Sequence, residues 1–347
     1  ALCVAGTAAL WFVTPGRVAL ALTLFVVSFI GFSFGENLAG SFLPEISTPE
    51  NIGKISGFGW GLGYFGGLLS LGLVFPLLKG DFVPANLANL RLAWLVTSLF
   101  FLLAALPTFL FLKERAPRGT STVFGYVRDG FIRLRQTVRS AHHFSELVRF
   151  LSVFLLYSAG LTSVIAFAGI FAANTLKFTS SELTYLFIVL QLSSAGGAFL
   201  FGGLQDRLGA PRTIQVTLVL WILVCAGVYF VETKGAFWGV ALFAGLGIGS
   251  LQSASRALVG LFAPPEKTAE FFGLWGLAGK TAYMIGPFIF GQISYHSGSQ
   301  RIAMLSTAAF FLLGLIGMSF VSEKRGLAAA REWHEQVGEK LDEVLRT

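Results

Sequence analysis

The chain has 347 residues, 54% of them apolar and 12% charged, with a mean hydropathy of +0.73. Soluble domains carry roughly 25% charged residues. A soluble globule, a disordered chain and a nucleic-acid binder are therefore excluded, despite the net charge of +7.

A bilayer core about 30 Å thick needs roughly 20 apolar residues of helix. The chain opens on a clipped apolar run, 1–13, which reads as the remainder of a span cut at its start. Full runs follow at 18–43, 55–78 and 92–112, and then at 150–173, 183–204, 213–231, 236–262, 270–294 and 301–321. Continuous runs of this kind are helices, because backbone facing lipid must satisfy its hydrogen bonds within the segment. Cys3 and Cys225 lie inside apolar runs and read as small buried residues, neither a disulfide framework nor a metal pair.

The run 18–43 carries Glu36 and Asn37, and 55–78 carries Trp60, Tyr64 and glycines at Gly59, Gly63 and Gly67, one every fourth residue, with Gly57 and Gly61 on a neighbouring stripe. Such a ridge lets helices approach closely in lipid. It serves static packing and also offers a smooth face for sliding. The polar stretch 113–149 divides the chain. Within it Phe124, Val127, Phe131, Leu134 and Val138 share one helical face flanked by Arg128, Arg135 and Arg139. Both an amphipathic helix in the membrane interface and a solvated connector fit that pattern.

After the span 183–204 comes Gly202-Gly-Leu-Gln-Asp206-Arg207-Leu-Gly209-Ala-Pro-Arg212. The span 236–262 holds Gln252, Ser253, Ser255 and Arg256, and 270–294 holds Lys280. The tail 326–347 places Trp333, Val337, Leu341 and Val344 at helical spacing, as a docking or surface helix would. With the tail assigned to the cytoplasm, the outer loops hold Arg17, Lys79, Arg91, Lys177, Lys234 and Arg301. Arg256 and Lys280 lie inside spans, and the remaining seventeen basic residues are on the inside. That bias follows the positive-inside rule.

Ionisable groups within spans are Glu36, Arg256 and Lys280. Each costs roughly 2.5–3.5 kcal/mol against lipid, so each is expected to face protein or a wet cavity. Glu36 and Arg256 both lie about 10 Å from the cytoplasmic ends of their helices, and are expected to meet as part of an inner gate, with Glu36 also a candidate proton carrier. Lys280, nearer mid-membrane, is the candidate for an anionic group of a solute. The alternative is that Arg256 snorkels and Lys280 bonds backbone carbonyls. The stretch Gly273–Lys280–Thr281 has five residues between its end glycines where a phosphate loop has four. All four histidines lie outside the spans, so neither ATP chemistry nor an intramembrane metal is indicated.

Two segments resemble each other: Pro49-Glu50, Gly57, Trp60, Gly61, Leu62 and Pro265-Glu266, Gly273, Trp275, Gly276, Leu277. The tryptophans are offset by 215 residues and the Pro-Glu pairs need one gap. Chance likeness between glycine-rich spans is the alternative. A true repeat makes 55–78 the fifth span of a six-span half, with two spans lost ahead of residue 1. Parallel repeats of this kind are one plan of secondary transporters, with the solute between the halves.

The 202–212 segment is similar to the loop signature of the major facilitator superfamily. That resemblance implies that Asp206 sits against the start of the 55–78 helix, with Arg207 and Arg212 helping to close the cytoplasmic side. Ser41-Phe-Leu-Pro-Glu-Ile46, Ile55-Ser-Gly-Phe-Gly-Trp-Gly-Leu-Gly-Tyr64, Gln252-Ser-Ala-Ser-Arg256, Pro264-Pro-Glu-Lys267 and Ala269-Glu-Phe-Phe-Gly-Leu-Trp-Gly-Leu-Ala-Gly-Lys280 resemble the vacuole-effluxer-like family of that superfamily. Through the family's fungal member, the resemblance implies amino-acid export. Its usual Tyr-Asn pair before the Leu-Pro turn is replaced here by Ala39 and Gly40.

The expectation is an all-α polytopic membrane protein of the major facilitator fold, not an enzyme. Its parts would be a truncated N-terminal bundle (1–112), a central cytoplasmic loop (113–149), a C-terminal bundle (150–322) and a tail helix (323–347). It would move a small polar solute, an amino acid by resemblance, by alternating access with a coupling proton. It would be a monomer without cofactor or metal, in a bacterial plasma membrane or, alternatively, a vacuolar one. The other reading is a scaffold or receptor that keeps the fold without transport.

Overall fold

The computed structural model describes residues 1–78, 86–112, 123–139 and 142–346. Lys79, Lys113, Arg115 and Arg118, counted in the charge bias, lie outside them. So do the side chains of Phe124, Val127, Phe131, Leu134 and Val138, and those of Leu341 and Val344.

Among the described residues the chain is helical throughout. The elements are α1 (Leu2–Ala9), running into a 3-10 turn Leu10–Phe12, then α2 (Val18–Ser41), α3 (Leu43–Ile46), α4 (Ile52–Leu78), α5 (Leu87–Phe111) and α6 (Val123–Arg139). They continue as α7 (Ser145–Asn174), α8 (Ser180–Leu208), α9 (Ala210–Phe230), α10 (Lys234–Phe262), a 3-10 turn Pro265–Lys267, α11 (Thr268–Ser297), α12 (Gln300–Met318) and α13 (Glu323–Arg346). Eight helices among the described residues are long and apolar enough to cross a bilayer. The ninth full run forms α11, 30 residues long, whose glycines, polar groups and Lys280 make it less apolar than those eight. The observed helices overrun the apolar runs by a few residues at most ends, because capping groups sit in the polar flanks. Thr179 and Glu182 form a reciprocal capping box on α8, and Thr233 accepts from the Ala236 amide on α10.

The residues divide into two compact units, 1–39 with 66–131 and 40–65 with 132–347. In the first, α1 packs on α2 and α5. A Cβ on Gly31 would lie 2.6 Å from the Cys3 amide nitrogen, and one on Gly6 3.0 Å from Ser28. The Ser28 hydroxyl is 2.6 Å from that of Thr7 and donates to the Cys3 carbonyl at 3.0 Å. Cys3 is half-buried where full burial was expected; Cys225, in the second unit, is buried.

The second unit is a helical bundle around a core whose largest fully buried side chains include Trp221, Tyr157, Phe150, Phe262, Phe271, Phe272 and Phe311. Its helices touch through backbone. A Cβ on Gly249 would strike the Ser194 carbonyl, one on Gly197 the Leu246 carbonyl, and one on Gly286 the Ala159 carbonyl. In lipid, where burying apolar groups gives no net drive, such close approach supplies the association. Buried hydroxyls pair between helices, Thr217 with Ser250 at 2.6 Å and Tyr157 with Ser255 at 2.7 Å. The first half of α4 belongs to this unit. The half of α4 beyond Phe65 belongs to the first.

α8 and α9 turn on Gly209, whose φ of 86° is a conformation side-chain-bearing residues rarely adopt. Glu323 of α13 accepts from the Ala210 amide at 2.8 Å, completing the start of α9.

Candidate functional site

The candidate site is the seam where the first half of α4 lies on α8 and α10. Three glycines put α4 there. A Cβ on Gly57 would strike the Ala198 carbonyl and lie 3.0 Å from Gly202, and one on Gly53 would lie 2.8 Å from the Gly202 carbonyl. One on Gly61 would lie 2.5 Å from the Phe199 ring. Any side chain at these positions would lift α4 off α8.

Two polar ties cross that smooth contact. At the helix start the Asp206 carboxylate accepts from the Gly53 amide at 2.8 Å and from the Lys54 amide at 2.9 Å. These are donors that α4 cannot satisfy itself, and a carboxylate also suits the positive end of the helix dipole. Next, Arg256 reaches from α10 to α4. Its Nε donates to the Ser56 hydroxyl at 3.1 Å and its Nη2 to the Ser56 carbonyl at 2.7 Å. The Ser56 hydroxyl donates onward to the Ser253 carbonyl at 2.8 Å. The guanidinium lies 5.6 Å from the Trp60 ring centroid, a cation–π contact. Gly59 makes room for it, since a Cβ there would lie 2.7 Å from Nη2. By rise per residue Arg256 is about 9 Å inside the end of α10.

Deeper along the seam the polar groups thin out. The Trp60 and Tyr64 rings are 5.9 Å apart, and the Gln252 amide donates to the Tyr64 hydroxyl at 3.5 Å. Among the described residues the buried Trp60 Nε1 and Ser253 Oγ have no hydrogen-bond partner. Ser255 turns the other way, to Tyr157 and the Leu251 carbonyl. The Glu50 carboxyl, in the Pro49-Glu50 turn before α4, is held below the usual carboxylate range by a hydrogen bond from Thr48 and by its own backbone amide. A lowered value favours the fold near neutrality and loses that contribution as pH falls into the acid range.

The seam thus gathers Trp60, Tyr64, Gln252, Ser253, Arg256, Gly202 and Asp206. Gly209 forms the turn, and Arg207 and Arg212 are exposed beside it. Lys280 is half-buried on α11 with its ammonium 5.7 Å from the Tyr283 centroid. Glu36 and Asn37 are half-buried in α2, in the first unit. Sequence reasoning missed Ser56, fully buried and bonded on both sides. The available signal was that it is the lone hydroxyl between Ile52 and Leu62. Among the described residues no group of three or more His, Cys, Asp or Glu could hold a metal ion.

A protein-family model described as "Vacuole effluxer Atg22 like" matches residues 1–331. The chain is 26% identical over 337 residues to the "Uncharacterized MFS-type transporter YxiO" of Bacillus subtilis (strain 168), covering 96% of this chain and 78% of that protein. It is 26% identical over 323 residues to "Autophagy-related protein 22-1" of Aspergillus fumigatus, covering 84% of this chain and 52% of that protein. The chain therefore spans about half the length of that fungal relative. Among solved structures, the E. coli fucose:proton symporter superposes with a TM-score of 0.71 at 15% identity, over 92% of this chain and 82% of that one. The proton:xylose symporter XylE gives 0.73 at 13%, over 96% and 80%. At such identities the likeness concerns the fold, which is that of the major facilitator transporters.

Proposed function

Because the chain belongs to the Vacuole effluxer Atg22 like family and has the all-α, membrane-spanning fold of major facilitator transporters, we propose that it moves a small polar solute, an amino acid, across a membrane by alternating access. The seam of α4 on α8 and α10 closes the end of the pathway that carries most of the basic residues. Asp206 and Arg256 hold it shut, and it opens when their ties to Gly53, Lys54 and Ser56 break. Lys280 meets the anionic group of the solute, and Glu36 carries the coupling proton.

The observation that carries this reading is the pairing of a glycine-smooth helix contact with two charge-assisted ties. A seam built only for stability gains little from a charge taken out of water, and apolar packing of the same volume often does as well or better. Ties of this kind suit a contact that must form and break, because water replaces the lost partners once the seam opens. The word "effluxer" belongs to the family's description, and the amino acid is taken from the likeness to the fungal branch.

The test is a thermal-shift screen of the full-length protein in detergent against amino acids and small metabolites. A ligand that binds the native state raises Tm with its concentration. At least one zwitterionic solute is expected to do so, and Lys280→Ala to weaken its effect roughly tenfold in concentration. No shift from any amino acid would contradict the assigned substrate class.

A further inference from the structure

Beyond the seam, a polar cavity of about 660 Å³ opens at the same end of the second unit, where α7 begins and the chain passes from α12 into α13. It is lined by Ser145, Glu146, Arg149, Ser319, Phe320, Val321, Ser322 and Arg325. Its size falls within the range of small-molecule sites. At its centre is Glu146, only 4% exposed. One carboxylate oxygen accepts from Arg325 Nε at 2.8 Å and from Arg149 Nη1, and the other from the Ser322 amide at 2.7 Å. Arg325 Nη2 also donates to the Phe320 carbonyl at 3.1 Å. Both arginine side chains remain at least half exposed.

Two arginines on one buried carboxylate leave the lining with one net positive charge. Each guanidinium carries five N–H donors in a planar fork, and the bonds described occupy three of the ten. The buried glutamate fixes both forks in place, as a preorganised anion site requires, and a bidentate arginine contact suits phosphate oxygens. One net charge suits a phosphodiester monoanion. α7 and α12 are membrane-length helices, so the cavity lies at the boundary of the bilayer. Its rim carries Phe320, 65% exposed, and Val148 follows on α7, 44% exposed. Apolar groups beside a cationic polar cavity match an amphiphile.

We propose that this cavity binds the phosphodiester headgroup of an anionic membrane phospholipid, with Arg149 and Arg325 on the phosphate and Phe320 beside the acyl region. A phosphatidylcholine brings a quaternary ammonium next to the same phosphate, which the net positive lining repels, so the site discriminates by headgroup. Because Arg325 and Ser322 lead into α13, occupancy also steadies the tail helix.

The test uses the full chain in dodecyl maltoside micelles, with Tm read against added phosphatidylglycerol, phosphatidylcholine and water-soluble glycerophosphoglycerol, and bound lipid counted by native mass spectrometry. Phosphatidylglycerol is expected to raise Tm by several degrees more than phosphatidylcholine and to stay bound in the mass spectrum. Arg149→Gln, on a half-exposed side chain, removes that excess, and Arg149→Lys restores part of it. Equal shifts from the two lipids, or an undiminished excess in Arg149→Gln, would overturn the site. An equal shift from glycerophosphoglycerol would overturn the lipid and leave a soluble phosphate ester in its place.

Discussion

Two donors of the Arg256 fork meet one serine. Nε and Nη2 both end on Ser56, and Ser56 passes a hydrogen bond to Ser253. Replacing Ser56 by Ala leaves Arg256 Nε without its acceptor beside a fully buried position and removes the second donor to the Ser253 carbonyl, which keeps its partner within α10. Such a loss costs about 1–3 kcal/mol and is measured as a fall in Tm. Arg256→Lys keeps the charge but not the planar fork, so it is expected to behave like Arg256→Ala in solute uptake, with at least a roughly tenfold loss. Uptake by Arg256→Lys equal to the parent would show that charge alone suffices. Glu36→Gln is expected to abolish gradient-driven uptake in proteoliposomes while counterflow exchange persists; unchanged gradient-driven uptake would remove Glu36 from coupling.

At this scale the sequence disclosed Arg256 better than its partner, whereas the loop resemblance already set Asp206 against the start of α4, where the Gly53 and Lys54 amides meet it. A charge inside an apolar run is conspicuous on its own. Ser56 is conspicuous only beside Arg256, 200 residues away, and its spacing within its own helix gives no sign of that contact. The described contacts of Arg256 include Ser56 and Trp60, and Gly59 opens α4 to the guanidinium.

Among the elements, α4 shows which part of a glycine pattern matters. Of the two stripes visible in the sequence, the one that meets α8 is Gly57 and Gly61, continued by Gly53, and not Gly59, Gly63 and Gly67. Periodicity identifies a smooth helix, but the side on which it is used depends on the neighbour. Gly57→Ala is expected to cost about 1–3 kcal/mol as an overpacked contact, whereas Gly63→Ala, which has open space beside it, is expected to be neutral or slightly stabilising. Equal Tm losses for the two would contradict the packing described.

The tail helix gives a second contrast of magnitudes. Trp333 lies 5.2 Å from the Phe144 ring and 5.0 Å from the Lys267 ammonium, while His334 reaches Glu266 from a largely exposed position. Trp333→Ala is expected to destabilise the fold by about 1–3 kcal/mol, and His334→Ala by less than about 1 kcal/mol, as for exposed ion pairs. The tryptophan was legible as an apolar position on α13. What it docks against was not, because Phe144 and Lys267 belong to segments far away in sequence.

For the molecule as a whole, hydropathy alone was enough to place the membrane helices, since the bilayer demands both length and composition of each. A boundary drawn at the polar stretch 113–149 follows the chain, whereas packing assigns residues 40–65 to the second unit, because backbone contacts at Gly53 and Gly57 and the Asp206 and Arg256 ties outweigh sequence order. In the proposed cycle the first half of α4 moves against α8 and α10.

That motion is most directly measured as a distance between spin labels on Lys54→Cys and Leu208→Cys, exposed positions on α4 and α8, with Cys3→Ala and Cys225→Ala removing competing thiols. In lipid without solute, a single short distance is expected. With transported solute and a proton gradient, a second, longer population is predicted to appear, and Arg256→Ala is predicted to populate it without solute. A single unchanged distance while solute is being taken up would contradict the gate at this seam.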